Sequence, residues 1–251
     1  MAALGFKLGV TKLMIKETKF LQFIPSAEHA LSNETEILAN VVSGEIDKAL
    51  SIWTTSNSIV VPRRLQRHDS FEYARRRSEN KGWPVFLRES GGGATPQGSG
   101  IINVTYAFVC QKHPSIQDSY EKLCDPIKEI ARDLSLPVWT GAVEGSFCDG
   151  DYNVVIANRK FAGTAQRRSW RRMQGRQAVL FAHALILLDA DIQGSVAAIN
   201  QFYSDCQQFQ HIVPDAHVNL SDLANRDQMM TSEKCAELLH QRYSEMLHQS
   251  V

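Results

Sequence analysis

Hydrophobic and polar positions along the chain fall into two kinds of pattern, helical spacing and short apolar runs. The pattern predicts five helices, at residues 24–50, 71–81, 116–134, 196–206 and 232–249. Ser26 follows Pro25 and is a suitable N-cap for the first helix. The second is charged and is expected to stop at Gly82. Pro126 lies inside the third helix and predicts a break or kink there.

Short apolar runs predict strands between these helices, at 85–87, 101–109, 138–139, 153–157 and 178–188. Residues 51–62 are expected to form a hairpin that turns at Ser56-Asn57-Ser58. A second tight turn, at Asn158-Arg159, is expected to lead into a strand at 160–163. Strands dominate the middle of the chain and helices flank them, without regular βαβ alternation. We therefore expect an α+β fold with a central, largely antiparallel or mixed sheet flanked by helices.

The chain shows no internal repeat, low-complexity tract or break in composition. With 251 residues, 43% of them hydrophobic, it can bury a substantial core as one unit. We expect a single catalytic domain over residues 1–251, with 226–251 as a C-terminal helical extension.

Charge argues against a nucleic-acid-binding protein, because 27 basic and 27 acidic residues give no net charge. Basic residues are nevertheless concentrated at 63–64, 75–77 and 167–176. The last of these runs contains Trp170. We interpret it as a solvated face or a docking surface for an acidic carrier domain.

The five cysteines include no CxxC pair and no His/Cys spacing typical of a metal site. The first residues lack the pattern of a signal peptide, and no apolar stretch approaches the ~18 residues of a membrane span. We therefore expect a cytoplasmic protein with reduced thiols, without a metal or a membrane segment.

Two stretches carry candidate chemistry. Arg88-Glu-Ser-Gly-Gly-Gly93 places three glycines after an apolar run, where a bare backbone can approach a ligand. Glu144-Gly-Ser-Phe-Cys148 places a cysteine in a glycine-flanked turn, twelve residues before Lys160. A nucleophile, a cation and an exposed-backbone loop are the parts needed to transfer an acyl group to an amine.

Together these stretches resemble the biotin/lipoate protein ligase superfamily, on its lipoyl branch. Similarity extends over about residues 25–225, and the further matching segments are Gly100-Ile-Ile-Asn103, Asp151 to Gln166, His183 to Asp191 and His217 to Leu223. The segment around Cys148 is most similar to the cysteine-dependent octanoyl/lipoyl amidotransferases of that branch. Two departures stand out: Asn158 replaces a usual glycine, and Thr95-Pro-Gln-Gly98 replaces a common His-Asp pair.

The resemblance implies a biotin/lipoate ligase-like catalytic domain and a set of site residues. Cys148 would be the nucleophile and Lys160 would hold the acyl carbonyl. The residues implied in substrate binding are Arg88, Ser90, Gly91, Gly92, Gly93, Asn103, Gly163 and Gln166. His68 and His183 are possible bases. Candidate walls of an acyl tunnel are Val85, Leu87, Val104, Tyr106, Val155 and Leu185.

Each residue also has a simpler interpretation. A free cysteine is usually a small buried hydrophobe, a lysine after a turn is usually solvated, and a glycine run can be an ordinary turn.

The resemblance implies an acyltransferase that moves octanoyl or lipoyl groups onto a specific lysine of a lipoyl-domain protein through a Cys148 thioester. No cofactor is then required. One alternative is a lipoate–protein ligase that uses ATP and Mg²⁺ to make lipoyl-AMP. Another is a non-catalytic paralogue that binds an acyl carrier or acyl ligand. The implied partners are the glycine-cleavage H protein, 2-oxoacid dehydrogenase E2 subunits and acyl carrier protein.

Overall fold

The computed structural model describes residues 20–110, 115–171, 177–224 and 230–249. The strands in these ranges are β1 (Gln22–Ile24), β2 (Lys48–Thr55), β3 (Ser58–Pro62), β4 (Val85–Arg88), β5 (Thr95–Gln97), β6 (Ile101–Cys110), β7 (Val138–Gly141), β8 (Asn153–Ile156), β9 (Arg159–Arg171) and β10 (Gln177–Leu187). The helices are α1 (Ala27–Ser43), α2 (Phe71–Asn80), α3 (Ile116–Asp133), α4 (Ile192–Asp205) and α5 (Ser232–Gln249). Short 3₁₀ helices lie at Arg63–Arg67 and Pro214–Ala216.

Seven strands form a large sheet in the order β1-β2-β6-β10-β9-β8-β7, and three form a small sheet in the order β4-β3-β5. In the large sheet β1 and β2 are parallel and the other neighbours antiparallel. In the small sheet β3 runs parallel to β4 and antiparallel to β5. The predicted α+β class with a mixed sheet is confirmed.

The predicted hairpin at 51–62 is wrong, although both of its strands exist. β2 pairs with β1 and β6, whereas β3 pairs with β4 and β5. The two residues between β2 and β3 therefore carry the chain from one sheet to the other. The local pattern correctly predicts two strands and a turn. The two strands do not pair with each other, because each pairs with strands that lie elsewhere in the sequence.

The first helix is shorter than predicted. α1 begins after Ser26, whose side chain accepts a hydrogen bond from the backbone N–H of His29, so the predicted N-cap is confirmed. The helix ends at Gly44, which has a left-handed φ of 86°. Residues 24 and 48–50, which the helical prediction included, lie in β1 and β2.

The third helix runs through Pro126 without a break. Its buried face, which includes Leu123, Ile127 and Ile130, packs in the core. Proline cannot donate one of the backbone hydrogen bonds of the helix. Packing in the core compensates for that loss and keeps the helix continuous.

Two hydrophobic clusters organise the structure. The larger one packs α3 and α5 on one face of the large sheet, and Cys235, Leu239 and Tyr243 anchor α5 in it. The smaller one joins the small sheet to α2 and α4 and includes Ile101 and Leu187 of the large sheet. Phe147, next to the candidate nucleophile, belongs to the smaller cluster. The loop that carries Cys148 is thereby anchored where the small sheet approaches the large one.

Candidate active site

Lys160 is placed by a two-residue hairpin turn. Ala157 and Asn158 have φ values of 50° and 59°, and Ile156 pairs with Arg159 across β8 and β9. Two consecutive left-handed residues are the signature of a tight turn of this kind, and asparagine tolerates that conformation. The predicted turn is confirmed, one residue earlier than expected.

Cys148 lies in the loop between β7 and β8, which is held from inside by Asp149. Its Oδ1 accepts from the backbone N–H groups of Val143 and Gly150, each at 2.8 Å, and from Asn153 Nδ2 at 2.7 Å. Cys148 itself has a φ of 49°, an unusual conformation for a non-glycine residue. The loop thus holds the cysteine in a conformation that costs free energy, as often occurs at functional sites.

The sulfur of Cys148 faces hydrogen-bond donors from the glycine loop. Gly93 N lies 3.2 Å from Sγ, and Arg88 Nη2 lies 3.7 Å from it. A Cβ atom on Gly92 would lie 2.4 Å from this sulfur, and Gly92 has a φ of 103°. The glycine at 92 is therefore required both by its backbone conformation and by the closeness of Cys148.

Arg88 shapes the glycine loop from beneath. Its guanidinium donates to the carbonyls of Val60 (2.8 Å), Gly91 (3.0 Å) and Gly93 (2.6 Å). Burial lowers the pKa of Arg88, and the nearby Cys148 opposes that shift. From the other side, Arg64 Nη2 donates to Gly92 O at 2.6 Å.

Lys160 is buried, with 1% of its surface exposed, and lies directly under the nucleophile loop. Its Nζ donates to Phe147 O at 2.6 Å and to Cys148 O at 3.1 Å. An ammonium group has three N–H donors, so one remains for a ligand in the cavity that Lys160 lines. Burial lowers the pKa of Lys160 to about 8, against the opposing effects of Cys148 and Asp149. Gly163 leaves room for it, since a Cβ there would lie 2.9 Å from Lys160 Cε.

His217 supports the same loop, a role that the sequence analysis missed. Its Nε2 accepts from Phe147 N at 3.0 Å, while Nδ1 lies 3.1 Å from Val213 O. Because Nε2 accepts, Nδ1 carries the proton and the ring is neutral. Burial, and then Lys160, lower the pKa of His217 to about 4, which agrees with that state.

A cavity opens beside Cys148 and Lys160. Its further lining includes Trp53, Val60, Phe147 and Leu185 together with the predicted Arg88, Asn103 and Gly163. Asn103 exchanges amide hydrogen bonds with Gln97, at 2.8 and 3.2 Å. Its side chain is thus satisfied within the wall of the cavity.

A chain of polar contacts also reaches the cavity. Trp53 Nε1 donates to Thr105 Oγ1 at 3.1 Å, and Thr105 Oγ1 donates to Glu34 Oε1 at 2.6 Å. His183 Nδ1 lies 3.6 Å from Glu34 Oε2. Trp53, Glu34 and His183 all line the cavity, and of these three the motifs predict only His183.

Other predicted residues lie outside this cavity. Ser90 lines a neighbouring groove, where its buried hydroxyl has no hydrogen-bond partner. Gln166 instead donates to Ile116 O at 3.2 Å. His68 is exposed, contacts Gln208 and is not among the residues that line the cavity. Of the six candidate walls, only Leu185 lines the cavity, because most of the others pack into the clusters or the second groove.

The other four cysteines are buried and free, whereas Cys148 is partly exposed. Burial raises the pKa of each of the four thiols, those of Cys110, Cys124, Cys206 and Cys235. In the described part of the chain, no group of His, Cys, Asp and Glu residues could hold a metal ion. No helix there has the length and apolar composition needed to cross a bilayer.

A protein-family model matches most of the chain. The model of the lipoyl protein ligase A/B catalytic domain aligns with residues 26–244. The chain belongs to the lipoyl protein ligase A/B catalytic-domain family. The resemblance that suggested roles for Cys148 and Lys160 is therefore a true family membership.

Relatives in this family include an uncharacterized protein of Cupriavidus necator, 36% identical over 192 residues, or 72% of this chain and 75% of the relative. The chain is also similar to an octanoyl-[GcvH]:protein N-octanoyltransferase of Bacillus velezensis, 28% identical over 80% of this chain and 71% of the relative. A Kyrpidia tusciae protein of the same name is 30% identical over 61% and 54%.

Solved structures show the same fold. A lipoate-protein ligase A bound with ATP superposes with a TM-score of 0.68 at 16% identity, covering 91% of this chain and 84% of the other. A bipartite lipoate protein ligase of Thermoplasma acidophilum gives 0.63 at 16% identity, covering 91% and 82%. These likenesses support the biotin/lipoate ligase-like fold of the family.

Proposed function

We propose that this protein is an acyltransferase that moves an octanoyl or lipoyl group onto a specific lysine of a lipoyl-domain protein through a thioester on Cys148. The observation that carries the proposal is the contact of Cys148 Sγ with Gly93 N–H, beside Arg88 and a cavity. A backbone N–H and a guanidinium can each donate to a sulfur anion, and the thiolate is the nucleophilic form of cysteine. The transfer requires neither ATP nor a metal ion.

In the first step the Cys148 thiolate attacks the acyl carbonyl of the donor. A carbon–sulfur bond forms, and the bond from the acyl carbon to the donor breaks. A thioester donor leaves as a thiolate. The nitrogen of a lysine amide donor takes a proton from solvent water as the bond breaks, so this donor leaves as a neutral amine. The product is an acyl-enzyme on Cys148.

In the second step an unprotonated lysine amine of the acceptor attacks this thioester. A carbon–nitrogen bond forms, the carbon–sulfur bond breaks, and Cys148 returns as a thiolate while the nitrogen releases a proton. The energy of the donor's existing acyl bond therefore suffices for the exchange.

Lys160 serves both steps in this mechanism. With two of its N–H groups on Phe147 O and Cys148 O, the third can donate to the acyl oxygen as negative charge develops on it. A buried ammonium acts strongly because little water screens its charge. Gly93 N–H is a second candidate donor to that oxygen.

The cavity supports an apolar acyl group. Trp53, Val60, Phe147 and Leu185 supply apolar lining next to Cys148. At about 0.8 kcal/mol for each buried methylene, a chain of about eight carbons contributes on the order of 6 kcal/mol of binding. Burial of the chain can therefore select an octanoyl-sized group.

The names of the relatives support the partners in this proposal. The Bacillus and Kyrpidia relatives are named octanoyl-[GcvH]:protein N-octanoyltransferases, and a Listeria monocytogenes relative is named a lipoyl-[GcvH]:protein N-lipoyltransferase. We therefore propose octanoylated or lipoylated glycine-cleavage H protein as the first donor to test. Acyl carrier protein is the alternative donor, and E2 lipoyl domains are the proposed acceptors.

Intact mass spectrometry tests the proposal directly. The protein is incubated without ATP with octanoylated H protein or octanoyl-acyl carrier protein, and then an apo lipoyl domain is added. We expect an added octanoyl mass on Cys148 that moves to the acceptor. Lipoylation that occurs only with free lipoate and Mg-ATP, and survives in Cys148→Ser, would instead identify a ligase. Acyl binding without either transfer would indicate a binding paralogue.

A further inference from the structure

The side chain of Tyr203 reaches the glycine loop, although this residue lies more than 100 positions later in the chain. Its hydroxyl oxygen accepts a hydrogen bond from Ala94 N at 2.6 Å. The residue is 1% exposed and packs in the smaller hydrophobic cluster, with its ring 6.2 Å from that of Phe202. The position of the hydroxyl is therefore set by the packing of α4 and not by the loop.

The peptide unit between Gly93 and Ala94 is held at both of its polar ends. Gly93 O accepts from Arg88 Nη2 at 2.6 Å, and Ala94 N donates to Tyr203. A peptide unit is planar, so it cannot turn without breaking one of these two bonds. The plane is consequently fixed between a residue of the small sheet and a residue of α4.

The N–H of Gly93 belongs to the preceding peptide unit, whose carbonyl, Gly92 O, accepts from Arg64 Nη2 at 2.6 Å, and it contacts Cys148 Sγ at 3.2 Å. Three successive glycines have more backbone freedom than any other tripeptide, so the loop cannot fix this direction by itself. A donor that is aimed in advance costs no reorganisation when the thiolate or the acyl oxyanion forms.

We propose that Tyr203 is a positioning residue: by fixing the Gly93–Ala94 peptide on one side of Gly93, while Arg64 holds the peptide on the other side, it aims the N–H of Gly93 at the reacting sulfur. Its effect on acyl transfer rests on the function proposed above, whereas its effect on the reactivity of Cys148 does not. Burial raises the pKa of Tyr203, so its hydroxyl stays neutral. The neutral hydroxyl therefore accepts from the Ala94 N–H without adding a charge beside the sulfur.

Tyr203→Phe removes only the hydroxyl and leaves the packed ring. Tyr243→Phe is the matched control: Tyr243 is fully buried, and its hydroxyl donates to Leu123 O at 2.5 Å in the larger cluster. Both variants remove one buried hydrogen bond, so both lose stability. Only the first touches the glycine loop.

The readout is the rate at which iodoacetamide alkylates Cys148 at pH 7. In Tyr203→Phe we expect alkylation to be about tenfold slower, because the sulfur loses a donor that is aimed in advance. Formation of the octanoyl-enzyme should slow by about tenfold with unchanged KM. Tyr243→Phe should match the wild type in both measurements.

An unchanged alkylation rate in Tyr203→Phe, or an equal loss in both variants, would overturn the proposal. If the wild type takes up no octanoyl group but alkylation still slows in Tyr203→Phe alone, the proposed function fails while the positioning role stands. Should Tyr203→Phe not fold, hydrogen exchange on the wild type decides. Slow exchange of the Ala94 amide relative to that of Gly91 would support the clamp, and equal rates would refute it.

Discussion

Cys148 and Cys124 are chemically the same side chain in two different regions of one molecule. Cys124 lies on α3 in the larger hydrophobic cluster, fully buried, and burial raises the pKa of its thiol to about 12. Cys148 is partly exposed, with a backbone N–H at 3.2 Å and a guanidinium at 3.7 Å from its sulfur. The contrast teaches that donors and solvent access, not the presence of a thiol, make a cysteine a candidate nucleophile.

The backbone differs between the two regions as much as the side-chain environment does. Cys124 has helical neighbours, whereas Cys148 has a φ of 49° in a loop held by Asp149, His217 and Lys160. The helical region gains stability from regular hydrogen bonds and packing. The loop region uses buried polar groups to hold a costly conformation.

The largest effect is expected from exchanging the two cysteines for smaller residues. Cys148→Ala should lower acyl transfer by at least about 1,000-fold, because no other group there can form the thioester. Cys124→Ala should keep the activity and lose about 1 kcal/mol of unfolding free energy through the cavity that it leaves. Transfer rates and denaturant unfolding of both variants test this. Full activity in Cys148→Ala would contradict the role of Cys148 as the nucleophile.

A large effect is also expected when the cation beneath the loop is removed. Lys160→Met should lower acyl transfer by about 100-fold or more, because the buried ammonium no longer stabilises the oxyanion. The measurement is the rate of octanoyl-enzyme formation under single-turnover conditions. Lys128→Met, on α3 in the helical region, is the control and should retain wild-type rates. A Lys160→Met rate near that of the control would contradict the role of Lys160.

An intermediate effect is expected at the glycine loop. Gly92→Ala should slow octanoyl-enzyme formation by about tenfold or more and cost roughly 1–3 kcal/mol of stability. The added Cβ would meet Cys148 Sγ, and the φ of 103° is unfavourable for alanine. Gly91→Ala is the matched control, since a Cβ there meets nothing within 4 Å and its φ lies outside the left-handed region. Equal behaviour of the two variants would show that the loop is not held against the sulfur.

The smallest effect is expected in the pH dependence of the free energy of unfolding. Burial lowers the pKa of Lys160 to about 8 from 10.5. Between these values the unfolded chain binds more protons than the folded one, so this group makes the protein more stable as pH rises. We expect the wild type to gain about 1 kcal/mol relative to Lys160→Met between pH 7 and 9, measured by urea unfolding. Acyl transfer should fall above pH 8 as the ammonium is lost. A constant stability difference would contradict the buried charge.

Several elements were predictable from the sequence because their determinants are local. The N-cap at Ser26, the turn at Ala157-Asn158 and the helix at Phe71–Asn80 depend on residues within a few positions. The hairpin prediction at 51–62 failed because strand pairing depends on residues far away in the chain. The helix through Pro126 was likewise decided by its packing in the larger cluster.

The same distinction applies to the site. The motifs singled out Cys148, Lys160 and the glycine loop, and the structure brings these together. They gave no signal for Arg64 or Tyr203, because each acts on a backbone atom and leaves no characteristic spacing. His217 could have been noticed, since it begins one of the segments that resemble the family.

A cysteine, a lysine and three glycines, in an order typical of one family, and the local turns that present them can all be identified in the amino-acid sequence. Which groups meet the sulfur depends on how the folded chain packs. The glycine loop, the Cys148 loop and α4 come from separate parts of the chain, and packing of the smaller cluster brings them within hydrogen-bonding distance. The physical reason is that side-chain chemistry is a property of single residues, whereas hydrogen-bond geometry and burial are properties of their assembly.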